Sequence, residues 1–462
     1  MGQHLTYPGA RARPDILANY RIRRADMISP PLMRLVALTL SIAGLALILI
    51  SLRPFVAISM SGDISSDGDP LKQVGFMAAG AISLAGLLTL ASPRVLRSLF
   101  SPSLLALAAV IGFSVLRAPD MMETARSLGL TVIGMMITFT VVALPRGERD
   151  LRLVLASVSL LVLAISYAGV ALLPHLAVHG YDAYEPQHAG LWRGLFSHKN
   201  IAGPVISVIA IFGIYLFRSG LRLIGAITFI AAYYFVIQTG SKTTSGFLPL
   251  AVFIVAMGTL TGRAWVAIAL HLIAFTGALV LTLGSAFNAR IFALAHSVLG
   301  DGTFTGRTSL WEFNLSMIPQ RLWFGYGYDD FWLTSTVRGL DKPFWAAWDY
   351  RFIVHGHQNY LDAINNLGVI GGGIVIFVLF ITPLYNYAKA RRIAGNQKLA
   401  DMFATIIIFL SLMGLLETFF LRRIDPIWAM QSLAIFGLHL AARFAFNPRP
   451  AGAGASGGAT AR

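Results

Sequence analysis

Three short stretches concentrate the residue types that could do chemistry in this chain. Arg193-Gly194-Leu195-Phe196-Ser197-His198-Lys199-Asn200 sets two cations, an imidazole and an amide just ahead of an apolar run. Charges beside apolar surface are costly without anionic partners. The stretch therefore reads either as a site for an anionic ligand or as side chains snorkelling to lipid phosphates. Gly306-Arg307-Thr308-Ser309-Leu310-Trp311 offers a guanidinium able to grip phosphate through paired, charge-assisted hydrogen bonds. The plainer reading is a surface arginine capping a loop helix. His355-Gly356-His357-Gln358-Asn359-Tyr360 puts two imidazoles where a helix begins, and a histidine there can act as a general base near neutral pH or be an interfacial hydrogen-bonding group. His-x-His also suits a metal, but spacing shows no third ligand, so neither a metal site nor a cofactor is expected.

Other features carry weaker signals. Asp67-Gly68-Asp69 has the Asp-x-Asp form that many glycosyltransferases use to hold a metal, yet such patterns are common by chance in polar loops. Gly368 and Gly372 have the spacing of close helix packing. Glu417 is a carboxylate expected near the outer end of an apolar helix, paired with Arg422 or Arg423 as a functional group or as a structural ion pair. No phosphate-binding glycine loop, dinucleotide fingerprint or metalloprotease motif occurs.

The elements that must position these residues are set by composition. Of 462 residues, 56% are hydrophobic and 12% charged, with mean hydropathy +0.69, against about 25% charged in soluble domains. A soluble enzyme, a disordered chain and a repeat solenoid are excluded. The net charge of +15 is spread over loops between apolar runs, which suits anionic lipid headgroups rather than nucleic acid. With no cysteine, disulfides and thiolate chemistry are out. Apolar runs near the spanning length of about 20 residues recur at 33–52, 74–92, 99–116, 126–144, 151–173, 200–217, 221–238, 246–261, 264–284, 364–387, 400–420 and 427–445. The expected fold class is all-α and polytopic, with about twelve transmembrane helices. The first run, behind an arginine-rich arm, reads as a retained membrane helix and not a signal peptide.

Loop charge sets the orientation. With the N-terminus inside, about 21 of the 36 Lys and Arg fall in the termini and short cytoplasmic loops, and about nine in the short outer loops. Both termini are then cytoplasmic. The expected organisation is a cytoplasmic arm 1–32, nine helices over 33–284, one large periplasmic loop 285–358, three helices over 359–447 and a disordered tail 448–462. The large loop holds Trp311, Trp323, Trp332, Trp345 and Trp348, a belt expected at the headgroup level.

Taken together in order on one outer face, the three stretches resemble the O-antigen ligase and polymerase superfamily of bacterial envelopes. RGLFSHKNIAG looks like its Arg-x-Gly-x-Phe-x-x-x-Asn segment, and the Phe-x-His-Lys-Asn variant is closest to the exopolysaccharide polymerase branch. GRTSLWEFNLSMIPQRLWFGYGYDDFW is similar to its Gly-Arg-x-x-x-Trp motif followed by Pro and Gly-x-Gly. HGHQNYLDAINNLGVIGG resembles its His motif, with Leu361 four and Gly368 eleven residues after His357; Gln358 stands where many members have Asn. The resemblance implies a GT-C-like membrane glycosyltransferase of the inner membrane. Its donor would be an undecaprenyl-diphosphate-linked glycan and its acceptor a second glycan or a lipid. Membrane lipids and polysaccharide assembly proteins would be further partners. By position, Arg193 and Arg307 would hold the diphosphate and His357 would deprotonate the acceptor hydroxyl, inverting the anomeric centre without metal. His198, Lys199, Asn200, Trp311, His355 and Asn359 would bind substrate. Polymerase, ligase and, as a different class, a polysaccharide transporter are the readings to separate.

Overall fold

The computed structural model describes residues 30–56, 69–118, 120–181, 186–329, 331–332, 335–341 and 348–446. Residues 1–29 of the expected N-terminal arm, the tail from Pro448, Asp67 and Trp345 lie outside them. Among the described residues the chain is helical, without strands. Each of the twelve apolar runs forms a helix: Pro30–Ile50, Pro70–Leu90, Pro102–Leu116, Met121–Ala143, Glu148–Leu172, Lys199–Arg218, Arg222–Gln238, Lys242–Leu260, Ala264–Phe287, Asn359–Ala390, Gln397–Met413 and Pro426–Ala441. Eight are long and apolar enough to cross a membrane; the others are 15–17 residues. The chain is an all-α polytopic membrane protein.

Local sequence explains the starts. Pro70, Pro102 and Pro426 occupy first turns, where the missing N–H costs nothing. Asp69 and Asp425 accept the first free N–H groups of their helices. Asp69 also pairs with Arg53 at 3.0 Å, so this aspartate of the Asp-x-Asp pattern has a structural partner. Burial sorts the helices. Lys199–Arg218 is the most enclosed of the candidate spans, with 78% of its apolar window buried, whereas Ala264–Phe287 has 17% and shows Leu272, Ile273 and Val280 outward. Apolar side chains on that rim suit lipid tails. At the end that carries Arg218 and Arg391, both guanidiniums close on the buried Asp401, at 3.1 and 2.7 Å.

The large loop is a folded unit with its own apolar core of Leu310, Phe313, Met317, Phe331, Trp332, Val337, Tyr350 and Ile353. This corrects the expected tryptophan belt: Trp311 and Trp332 are buried and Trp323 is exposed.

The loop is locked to the membrane helix behind it through two glycines. Helix Asn359–Ile376 breaks at Gly368, where φ is +69°. The Trp323–Phe324 backbone fills the break, 2.3 Å from where a Cβ would stand. Gly325, at φ +68°, lies equally close to Asn366 O. Hydrogen bonds cross the seam from Tyr326 N to Asn365 O (3.0 Å), Gly327 N to Asn366 O (2.8 Å) and Val369 N to Leu322 O (2.8 Å). Only glycine meets both demands, a positive φ and backbone contact. Gly368 is thus a docking break in its helix, and not one half of the helix-packing stripe expected with Gly372.

Candidate active site

The first stretch is shaped by its backbone. Trp192 N donates to Gln238 O (3.0 Å), and Arg193 N and Gly194 N both donate to Ala177 O (2.9 Å). This turns Arg193 inward, to 5% exposure. Its guanidinium donates to Phe196 O and Ser197 O at 3.2 and 3.4 Å, and no carboxylate pairs with it among the described residues. Burial lowers its pKa. A guanidinium held only by carbonyls keeps donors for an anion.

His198 caps helix Lys199–Arg218, its Nδ1 accepting from Asn200 N at 3.1 Å. Lys199 N donates to His179 Nε2 at 3.1 Å. The rings of His179, His188 and His198 gather with centroids 4.8–5.7 Å apart. Burial first, then His198, Arg193, His188 and Lys199, push His179 down to about 4. Nothing in sequence spacing pointed to His179 or His188.

The centre of the site is a residue that the three motifs do not contain. Arg307 opens helix Arg307–Met317, and its Nη2 donates to Glu417 Oε1 at 2.7 Å. Asn200 Nδ2 donates to the same oxygen at 3.2 Å. His357 Nδ1 lies 2.9 Å from Glu417 Oε2. One carboxylate therefore joins all three stretches. Glu417 is not at the end of a helix as expected, because Gln397–Met413 stops four residues earlier, and it pairs with neither Arg422 nor Arg423. Burial acts to raise its pKa, but Arg307 and then His357 outweigh it and hold the carboxyl at about 2. Against an ionised carboxylate oxygen, His357 Nδ1 is the donor, which turns Nε2 away from Glu417.

The backbone around His357 is strained and braced. His357 has φ +51°, a conformation that costs a non-glycine residue about 1–3 kcal/mol and persists where the surroundings over-determine it. His357 N donates to His355 Nδ1 (3.3 Å) and Gln358 N to Thr418 Oγ1 (2.8 Å). Gln358 caps the following helix, its side chain accepting from Leu361 N at 2.6 Å, which gives a role to the residue inserted after His357. Beneath, the buried Asp362 accepts from Asn314 Nδ2 (2.8 Å), Trp332 Nε1 (2.9 Å), Gly356 N (2.8 Å) and Thr418 Oγ1 (2.7 Å). It ties the loop, the His motif and the Glu417 turn together. Asp362 has no near neighbour in sequence that announces it, and the near neighbours of Glu417, Arg422 and Arg423, pointed to the wrong partners.

The remaining expected binding residues divide. His198, Lys199, Asn200, His355 and Asn359 line one cavity with Arg193, Arg307, His357 and Glu417. Trp311 does not line it: it is wholly buried and packs with Leu361, Leu416 and Phe304, so its place is structural. Asn359 is buried, with Oδ1 accepting from Phe419 N (2.7 Å) and Phe420 N (2.9 Å); it holds the turn that carries Glu417. The cavity measures about 1900 Å³, and among the described residues ten Lys and Arg line it against four Asp and Glu.

His355, His357 and Glu417 bring their ligand atoms within 4.8 Å of one another, so the fold supplies the third metal ligand that spacing did not reveal. The donor types fit a divalent cation. The charge does not favour one, since Arg307 already occupies Glu417 and would repel a divalent ion.

Residues 205–376 match the family model described as O-antigen ligase. The match takes in Arg307, His357 and the Gly325–Gly368 seam, and leaves out Arg193 and Glu417. Comparison with curated proteins finds no match.

Proposed function

From a chain that carries an O-antigen ligase domain, and so stands in the O-antigen ligase and polymerase superfamily, we propose that this membrane glycosyltransferase polymerises undecaprenyl-diphosphate-linked repeat units at the outer face of the inner membrane. The observation that carries the reading is the convergence of Arg307, Asn200 and His357 on Glu417 inside a strongly basic cavity. Arg193 and Arg307 hold the donor diphosphate. Arg307 uses one N–H on Glu417 and keeps others for phosphate oxygens. His357 Nε2 takes the proton of the acceptor hydroxyl while its Nδ1–H is oriented by Glu417, the arrangement of a base steadied by a buried acid. The acceptor oxygen bonds to the anomeric carbon as the bond to the diphosphate oxygen breaks. The lipid diphosphate leaves with its charge stabilised by the two guanidiniums. A single displacement inverts the anomeric centre.

No metal is required in this scheme, because the arginines supply the positive charge at the leaving group. The Phe196-Ser197-His198-Lys199-Asn200 variant favours polymerase over ligase, since it is the sequence feature closest to the polymerase branch. The reading is tested in membrane vesicles given lipid-linked donor: Arg307→Ala should abolish polymer and let donor accumulate at wild-type protein level. Normal polymer would refute it.

A further inference from the structure

The turn after Gln397–Met413 carries two adjacent arginines, and they differ in what they do. Arg423 is fully engaged, with Ser127 Oγ at 3.1 Å, Glu123 Oε1 at 3.2 Å and Asp329 Oδ2 at 3.5 Å. Arg422 makes no side-chain hydrogen bond or ion pair among the described residues, although it lines the cavity. The nearest acid in sequence, Asp425, feels the charge of Arg422 but makes no hydrogen bond to it, and spends one oxygen on Ile427 N and Trp428 N at 2.8 and 2.9 Å. The turn itself is rigid. Asn359 holds Phe419 and Phe420, Tyr328 and Thr131 donate to Leu421 O, and Arg423 is bolted to the helix Met121–Ala143 and to the loop. Arg422 is therefore presented by a fixed scaffold, five residues from Glu417, with its donors open.

The cavity has room for more than one substrate head. Ordinary single-ligand pockets measure about 300–1,000 Å³, and this one is about 1900 Å³. Arg193 and Arg307 suffice to grip one diphosphate. His355 packs against His357 at 4.2 Å between ring centres, and both rings line the same cavity as Arg307 and Arg422. We propose that Arg422 anchors the phosphate of the acceptor, so that two lipid-linked phosphates occupy the cavity together, one on Arg193 and Arg307 and one on Arg422. This rests on the transferase reading above. It implies an acceptor that is itself phosphorylated on a membrane lipid, as a second lipid-linked repeat unit is.

The test uses the full chain in detergent and undecaprenyl diphosphate as the probe, with bound equivalents counted by native mass spectrometry. Wild-type protein should bind two. Arg422→Gln should bind one, the second weakened about tenfold or more, the loss expected for a charge-assisted hydrogen bond. The equivalent that this variant retains shows that it is folded. Arg422→Lys should recover part of the second equivalent. Undecaprenol, which lacks phosphate, should not fill the second place. Inorganic diphosphate, which lacks the lipid, should displace neither equivalent at matched concentration. One equivalent on wild-type protein, two on Arg422→Gln, or a second place filled equally well by undecaprenol or inorganic diphosphate would overturn the proposal. Arg307→Gln separates the two claims. If it keeps both equivalents while Arg422→Gln loses one, the donor reading fails and the role of Arg422 stands. If it loses one while Arg422→Gln keeps both, the reverse holds.

Discussion

Glu417 serves two neighbours in different ways. Toward Arg307 it is a counter-charge that leaves most of the guanidinium fork available, and toward His357 it is an acceptor that fixes the ring. If His357 is the base, His357→Ala should lower transfer by roughly 10²–10⁴-fold, the range for removing a general acid or base, with donor still bound. His355→Ala should do much less, since His355 does not reach Glu417. Polymer formation and donor accumulation at matched membrane levels check both, and equal defects would mean the base is misassigned. Glu417→Gln should destabilise the protein by about 3–5 kcal/mol, the cost of breaking a buried pair. The sign with pH follows from a carboxyl lowered from 4.5 to about 2 on folding: its stabilisation is complete above the unfolded value and is lost as pH falls through the folded one. Thermal unfolding in detergent should therefore show wild type converging on Glu417→Gln as the pH drops across that window. Arg193, Arg307 and His357 stand out in the sequence by residue type and by their likeness to the three family motifs, and the fold sets them round one cavity. Glu417 was visible as an intramembrane acid, but its partners were not, because they lie 60 and 110 residues away and the nearest arginines in sequence were the wrong ones.

Elements place these residues through seams that a pattern of apolar runs does not encode. The twelve helices were readable because each apolar run is long and bounded by Pro, Asp or Arg. The stop at Met413 was not, because the residues that follow, Gly414 to Leu416, are apolar yet are drawn out of the helix by Asn359 N, which bonds Gly414 O at 2.8 Å. The Gly325–Gly368 seam was likewise hidden, since a positive φ and a close backbone approach leave only a glycine behind. Gly368→Ala and Gly325→Ala should each detach the loop from its helix. The expected result is lost protein or lost protease resistance of the loop, with Gly372→Ser as a milder comparison. Full activity and wild-type resistance in both alanine variants would show that the seam is dispensable.

At the scale of the whole molecule, a bundle with an apolar rim, a folded loop at one end and a basic cavity beneath it makes a topological commitment. Asp341, on the loop, should be reached by membrane-impermeant reagent from the periplasmic side when replaced by cysteine in this cysteine-free chain; labelling only from the cytoplasm would sink the orientation. Transfer in purified membranes should persist in EDTA, because Arg307 sits where a divalent ion would need Glu417. Loss with chelator and rescue by a divalent ion would make His355, His357 and Glu417 ligands instead.

The central claim is that His357 and Glu417 act as one unit at the meeting point of the three motifs. It is tested most directly by initial transfer rates in membrane vesicles for His357→Ala, Glu417→Gln and the double variant, at equal protein and saturating donor. Residues that act as a unit are strongly non-additive, so the double variant should be no slower than the slower single one. Defects that multiply would mean that the two residues work independently, and the account would be wrong.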